Sequence, residues 1–232
     1  MVRTTHLLEA CMEEKPLRME GVTYYMRNGR LCVRPSRYRK RKKRTTAEEA
    51  ASNRFTEVRK FWTLYRRALG DLPVWRMAAR EQGANQGDTL FHRLNSGCIR
   101  GGEGVWAFPA FRFSTGSLDM PALRSARREG DGVVLEWEVD EDRAGARWSD
   151  RVYVGYFHGT DPRVPHLAVA EGVCRKDGRV AVAMPPAAEE AAGKSDGAGK
   201  GLKGGREVPL HVYLFFGNEE GTRFSPSVYA GV

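Results

Sequence analysis

A chain of 232 residues, 41% hydrophobic and 10% aromatic, carries enough apolar material for one large core or two small ones, which excludes wholesale disorder and any need for a metal or disulfide staple. The formal net charge of +9 is unevenly placed: residues 1–80 hold 20 basic and 8 acidic groups, residues 81–232 hold 18 and 21. A polyanionic partner for the N-terminal third is therefore expected, with nucleic acid ahead of an anionic membrane surface.

Residues 1–20 read as an N-terminal arm. Acidic residues and Pro16 interrupt it where an export signal needs a continuous apolar run, so a cytoplasmic location, or one within an assembled particle, is expected. The apolar stretch "VPLHVYLFFG" is strand-length, short of the roughly 20 residues of a membrane helix, and no membrane insertion is expected. Cys11, Cys32, Cys98 and Cys174 are widely spaced with no C-x-x-C, which argues against a zinc site of the usual spacing and fits a reducing compartment.

"GVTYYMRNGRLCVRP" reads as a β-hairpin, because Asn28-Gly29 supplies the two positive-φ positions of a type I′ turn. That turn sets Arg27 opposite Arg30, Met26 opposite Leu31, Tyr25 opposite Cys32 and Tyr24 opposite Val33. Val22, Tyr24, Met26, Leu31 and Val33 then share an apolar face that should pack on a neighbouring element, while Tyr25, Arg27, Arg30 and Arg34 occupy the other. Next comes a strap in which eight of the eleven residues from Arg34 to Arg44 are Lys or Arg, with Tyr38 and no acid among them. Such density repels itself, so the strap is either a solvated linker or a holder of phosphates. The candidate phosphate-binding set is Tyr25, Arg27, Arg30, Arg34, Arg37, Arg39, Lys40, Arg41, Lys42, Lys43 and Arg44.

Thr46 and Glu49 have capping-box spacing and predict a helix start. Ala51, Phe55, Val58, Trp62, Tyr65 and Leu69 follow as its apolar stripe, and Gly70 as its stop. "DLPVWRMAAR" and "GDTLFHRLNSG" predict two shorter helices, capped by Asp71 and Asp88. After about Trp106 the period becomes two: Val133 to Val139, Val152 to Tyr156, Val180 to Met184 and Val212 to Phe216 read as strands separated by turn sequences such as "REGDG" and "RKDGR". A Gly/Ala/Lys-rich segment at about 186–207 interrupts the series as a loop. The expected class is α+β: an N-terminal hairpin plus helices over residues 21–105, then an antiparallel β-sandwich over 106–232.

The strand series, with Pro121 near its start, "VVLEWEV" carrying Trp137, "RVYVGYF", "HVYLFF" and a closing "SPSVYAGV", resembles a fibronectin type III or immunoglobulin-like sandwich, which implies a binding or spacer module. From about residue 20 onward the chain also resembles a widespread set of uncharacterised bacterial proteins, some associated with prophages and other mobile elements. The matching residues are Gly21, Asn28, Gly29, Arg34, Arg44, Thr45, Arg54, Phe55 and Trp62, with Trp75 and "LFHRLN" after them. Lys42-Lys43 and Glu48-Glu49 stand where that set usually has Asn-Pro and glutamines. The resemblance brings no activity with it.

No local motif points to catalysis. "GKS" at Gly193–Ser195 has Ala188 where a phosphate loop needs its first Gly, and it lies in low-complexity sequence. "DEDRAG" from Asp140 has Ala144 and Arg151 where a calcium loop needs ligands. His6, His92, His158, His166 and His211 show no metal-binding spacing. Phe55, Phe61, Trp62, Tyr65 and Trp75 resemble a base-stacking platform only in composition; their helical spacing makes core the default. No residue is nominated as catalytic, cofactor-binding or metal-ligating. Two functions remain: a non-enzymatic structural, assembly or binding protein that meets protein partners or itself through strand edges, and a sequence-independent binder of DNA or RNA backbone. An enzyme with a cryptic site is a residual.

Overall fold

The computed structural model describes residues 16–27, 30–36, 43–84, 86–184 and 209–232. It is a mixed α+β structure, mostly β, with every sheet antiparallel. The chain forms two compact units, Met1–Glu48 and Glu49–Val232. Residues 37–42, "GKS" and the expected loop at 186–207 lie outside the described residues.

The first unit holds a three-stranded sheet, β1 (Leu17–Met19), β2 (Val22–Arg27) and β3 (Arg30–Pro35), in that order. The register of β2 and β3 is the one expected, with Arg27 opposite Arg30 and Tyr24 opposite Val33. Strand β1 corrects the reading of residues 1–20 as an arm. Glu20 (φ 48°) and Gly21 (φ 78°) make a second two-residue turn, which pairs Met19 with Val22. A third strand supplies the stability that a lone ribbon lacks. Met19, Met26 and Val33 on the apolar face remain exposed.

Helix α1 (Thr46–Leu69) starts where expected, but its capping box lies one residue earlier: the Thr45 amide donates to Glu48 Oε2 (2.9 Å) and the Glu48 amide to Thr45 Oγ1 (3.2 Å). The stripe it buries is Val58, Phe61, Tyr65 and Leu69, with Phe55 left 49% exposed and Trp62 half-buried. Gly70 ends the helix at φ 57°. Helix α2 (Val74–Glu81) has Pro73 rather than Asp71 at its N-cap, and in α3 (Gly87–Asn95) Asp88 sits in the first turn, its Oδ1 accepting from the Thr89 amide (2.7 Å), rather than at the cap.

A two-stranded ribbon, β4 (Ile99–Arg100) with β5 (Gly104–Val105), leads into the larger sheets. One is β10 (Arg179–Ala183), β7 (Gly132–Trp137), β6 (Leu123–Glu129); the other is β12 (Val228–Gly231), β11 (Leu210–Gly217), β8 (Arg151–His158), β9 (His166–Cys174). Val133, Leu135, Trp137 and Val180 meet Val152, Val154, Val212, Leu214 and Phe216 in a shared core. The alternate residues of the same central strands, Tyr153, Phe157, Tyr213 and Phe215, form a second core with Phe61, Tyr65, Trp75, Phe91, Phe111 and Phe113. The four-stranded sheet is thus apolar on both faces, as its strands must be when both are covered. This arrangement places the unit boundary at residue 48 rather than at the expected 105: the helices' aromatic stripe has its partners on β8 and β11.

Polar anchors fix these layers. The Tyr65 hydroxyl donates to the Phe113 carbonyl and accepts from Trp75 Nε1 (3.0 Å). Asn95 clamps the backbone of Arg112, donating through Nδ2 (3.0 Å) and accepting through Oδ1 (2.8 Å). Arg175 and Asp150 form an ion pair (Nε–Oδ2, 3.0 Å) with side chains 0% and 1% exposed. Arg175 Nη2 donates to the Asp119 carbonyl (2.8 Å), and the guanidinium lies 4.4 Å from the Phe216 ring centroid.

Candidate nucleic-acid interface

Directly opposed residues of an antiparallel sheet point to the same side, so the register assembles the basic face row by row. Arg18, Thr23 and Arg34 form one row across three strands, Tyr25 and Cys32 the next, Arg27 and Arg30 the last. Arg18, Arg30 and Arg34 are exposed. The Arg34 guanidinium lies 5.4 Å from the Tyr25 ring centroid, a cation–π contact that holds both side chains on this face. Thr23 is buried beneath, its hydroxyl 2.8 Å from that of Ser36.

Strand spacing sets the scale. Arg30 and Arg34 are four residues apart on one strand, roughly 13 Å, and Arg18 lies two strands from Arg34, roughly 10 Å. Among the described residues of this sheet the one acid is Glu20, in the β1–β2 turn, so no carboxylate competes on the basic face. Cations at this spacing, carried on a flat sheet, suit repeated anions such as phosphates and offer no donor–acceptor pattern that would read bases.

Of the expected phosphate-binding set, Tyr25, Arg30 and Arg34 come together, with Arg27 placed opposite Arg30 by register. Lys43 and Arg44 are exposed in the segment before α1. Arg37, Arg39, Lys40, Arg41 and Lys42 lie outside the described residues. Arg18 was missed; the signal was the alternation in "LRM" just before Glu20-Gly21, a second hairpin turn.

No known protein family, curated protein or solved structure matches the chain. What it binds must follow from its own geometry.

Elsewhere, several carboxylates and histidines take part in turns and packing. In the "DEDRAG" segment Arg143 and Ala146 exchange backbone hydrogen bonds, and Asp142 Oδ1 accepts from the Trp148 amide (3.0 Å), a tight turn held by its own acid. No cluster of metal-ligating side chains occurs among the described residues. The histidines are less separate than their spacing suggested: His158 and His166 close the β8–β9 hairpin with ring centroids 5.5 Å apart, and Tyr156 stacks on His166 at 4.8 Å. Burial, reinforced by His158, holds His166 below the usual histidine range, with Asp161 opposing. His211 is also held down by burial, its Nδ1 2.8 Å from the Tyr229 hydroxyl and its ring stacked on Phe108. Cys32, Cys98 and Cys174 are free thiols; burial pushes Cys98 up, and burial with the neighbouring Asp177 pushes Cys174 up, so neither is an activated thiolate. Among the described residues no helix is long and apolar enough to cross a membrane.

Proposed function

We propose that the chain is a non-enzymatic binding protein that grips the phosphate backbone of nucleic acid, without reading its sequence, through the basic face of its N-terminal sheet and the strap that follows. The observation that carries this reading is the three-stranded face bearing Arg18, Tyr25, Arg30 and Arg34, which holds no carboxylate among the described residues. The charge of the strap, eight basic residues in eleven, supports it. The β-rich part of the second unit serves as a fibronectin type III-like module for protein partners. Of its last seven strands, the first, second and fifth pair in one sheet and the rest in the other, the division such a sandwich has. It departs from a free-standing sandwich in that helices cover the outer face of the four-stranded sheet.

An assembly role is the second reading, favoured by β9. This edge strand carries Val169 at 53% exposure, and a bulge between Val169 and Cys174 shifts its register against β8 and leaves the intervening residues out of the ladder. A role in prophage or mobile-element particles rests on the sequence resemblance alone.

The test is fluorescence anisotropy of labelled duplex DNA across a salt series, comparing wild type with R18Q/R30Q/R34Q. Loss of three phosphate contacts lowers the slope of log affinity against log salt by about 2.7. An unchanged slope with unchanged affinity removes the sheet from the interface.

A further inference from the structure

A second basic surface lies on the helical layer of the second unit and shares no residue with the sheet above. Phe55, Arg59, Trp62 and Arg66 follow one another on α1 at spacings of four, three and four, so they form one ridge, beside the ridge that Val58, Phe61 and Tyr65 bury. Alongside it, α2 and α3 leave two recesses, one of about 650 Å³ and one of about 370 Å³. Trp62 and Asp88 line both, so the two recesses adjoin at these residues and together are called the trough. Its floor is tight: a Cβ on Gly87 would stand 2.9 Å from the Trp75 carbonyl carbon, so α2 and α3 approach as closely as a glycine permits.

The charge of the trough is one-sided. Arg66, Arg76 and Arg80 line the larger half, Arg59 and Arg93 the smaller, against Asp71 and Asp88. The first three are exposed, and no carboxylate pairs with them among the described residues. One of the two acids is already engaged, since Asp88 Oδ1 accepts from the Thr89 amide. Aromatic surface is interleaved with these cations. Phe55 is 49% exposed, with the Arg59 guanidinium 5.8 Å from its ring and the His92 ring 4.7 Å away. Trp62 is held by Tyr65 (5.8 Å) and Phe91 (4.9 Å) and presents its remaining surface to both recesses.

We propose that this trough binds single-stranded nucleic acid, its phosphates held by Arg66, Arg76 and Arg80 and its bases stacked at Phe55 and Trp62. The cation excess selects an anionic ligand and disfavours a basic peptide. The exposed ring beside an arginine favours flat, π-faced groups over the carboxylates of an acidic peptide. A recess between helices admits an unpaired base and excludes a duplex, whose bases are already stacked on one another. This site does not rest on the sheet's reading: a backbone-gripping sheet takes duplex and single strand alike, whereas the trough discriminates.

The experiment uses the full chain carrying R18Q/R30Q/R34Q, so that the N-terminal sheet contributes little, and measures anisotropy of a labelled oligothymidylate and of a duplex of equal length. In that background F55A weakens oligothymidylate binding by between about fivefold and a hundredfold and leaves duplex binding unchanged. R66Q/R76Q/R80Q lowers the single-strand salt slope by about 0.7 for each lost contact. Unchanged thermal unfolding of F55A, expected for an exposed side chain, shows that the fold is intact. Four results overturn the proposal: oligothymidylate affinity within about twofold of the parent in both variants; equal weakening of oligothymidylate and duplex by F55A; displacement of the oligonucleotide by an acidic peptide as readily as by unlabelled oligothymidylate; or loss of all oligothymidylate binding in the R18Q/R30Q/R34Q parent, which would leave the sheet as the whole interface.

Discussion

Replacing Asp150 by Ala leaves the Arg175 guanidinium, 0% exposed, without its carboxylate. Breaking a buried pair in this way costs about 3–5 kcal/mol. Two contacts survive the change, the hydrogen bond to the Asp119 carbonyl and the Phe216 ring, so the lower end, about 3 kcal/mol, applies. For a unit of this size that is a fall in Tm of roughly 6–12 °C. The reverse deletion, R175M, differs in kind, because a carboxyl can protonate whereas a guanidinium cannot shed its charge. Burial, the largest influence, already raises Asp150 above its ordinary value, with Arg175 pulling it down. The folded state therefore holds that proton to higher pH than the unfolded chain, and this residue's contribution to stability falls as pH rises from the unfolded value through the folded one. Without Arg175 the folded pKa rises further, so the deficit of R175M shrinks on acidification while that of D150A does not. Urea midpoints of both variants and of D150A/R175M, taken at neutral and mildly acidic pH, check this; the double variant should be more stable than D150A. A loss below about 1 kcal/mol for D150A, or parallel pH profiles for the two single variants, would refute the reasoning.

Gly155 faces the Phe113 ring, with a built Cβ 2.4 Å from its edge, so G155A should cost about 1–3 kcal/mol and F113L should restore part of it, read from denaturant midpoints. Y65F removes the donor to the Phe113 carbonyl and the acceptor of Trp75 Nε1, and a loss of about 2 kcal/mol is expected in thermal melts. His166 and His211 are both held below the usual histidine range, so the folded state binds fewer protons; stability present above pH 6.5 is lost as pH falls below it. H211Q should flatten that acid-side decline in Tm, and an unchanged decline would assign it elsewhere.

The β2–β3 register was legible because Asn-Gly is the pair that a two-residue hairpin connection favours, and the start of α1 was legible to within one residue of its capping box. The ridge that α1 buries was legible in Val58, Tyr65 and Leu69 but not in Phe61. Phe55 and Trp62 fit an apolar stripe as well as Phe61 does, and what selects Phe61 is its packing on Phe91, Phe111 and, more than ninety residues downstream, Phe157 of β8. The sequence carried a hint in "RVYVGYF" and "LHVYLFFG", whose unbroken apolar character exceeds what a strand covered on one face requires. Strand β9 went unread since "HLAVAEGVC" mixes Ala, Gly and Glu, as an exposed bulged edge permits. The buried pair of Asp150 and Arg175 was hidden because both residues stand in turn sequences, where charge ordinarily means exposure. Of the two basic surfaces, the sheet face was largely visible from alternation; the trough was not, since it depends on where α2 and α3 lie beside α1.

The sheet that is covered on both faces also sets a timetable for synthesis. Phe61 and Tyr65 leave the ribosome long before β11 supplies Tyr213 and Phe215. At about 5–20 residues per second, roughly 7–30 s pass between Phe61 and Tyr213; Phe91, Phe111 and Phe157 cover part of the helical face in that time, but the layer stays incomplete until β11 arrives. During that interval the growing chain presents a surface that chaperones recognise, and a synonymous change that slows translation between α3 and β11 would lengthen it without altering a single contact in the finished protein.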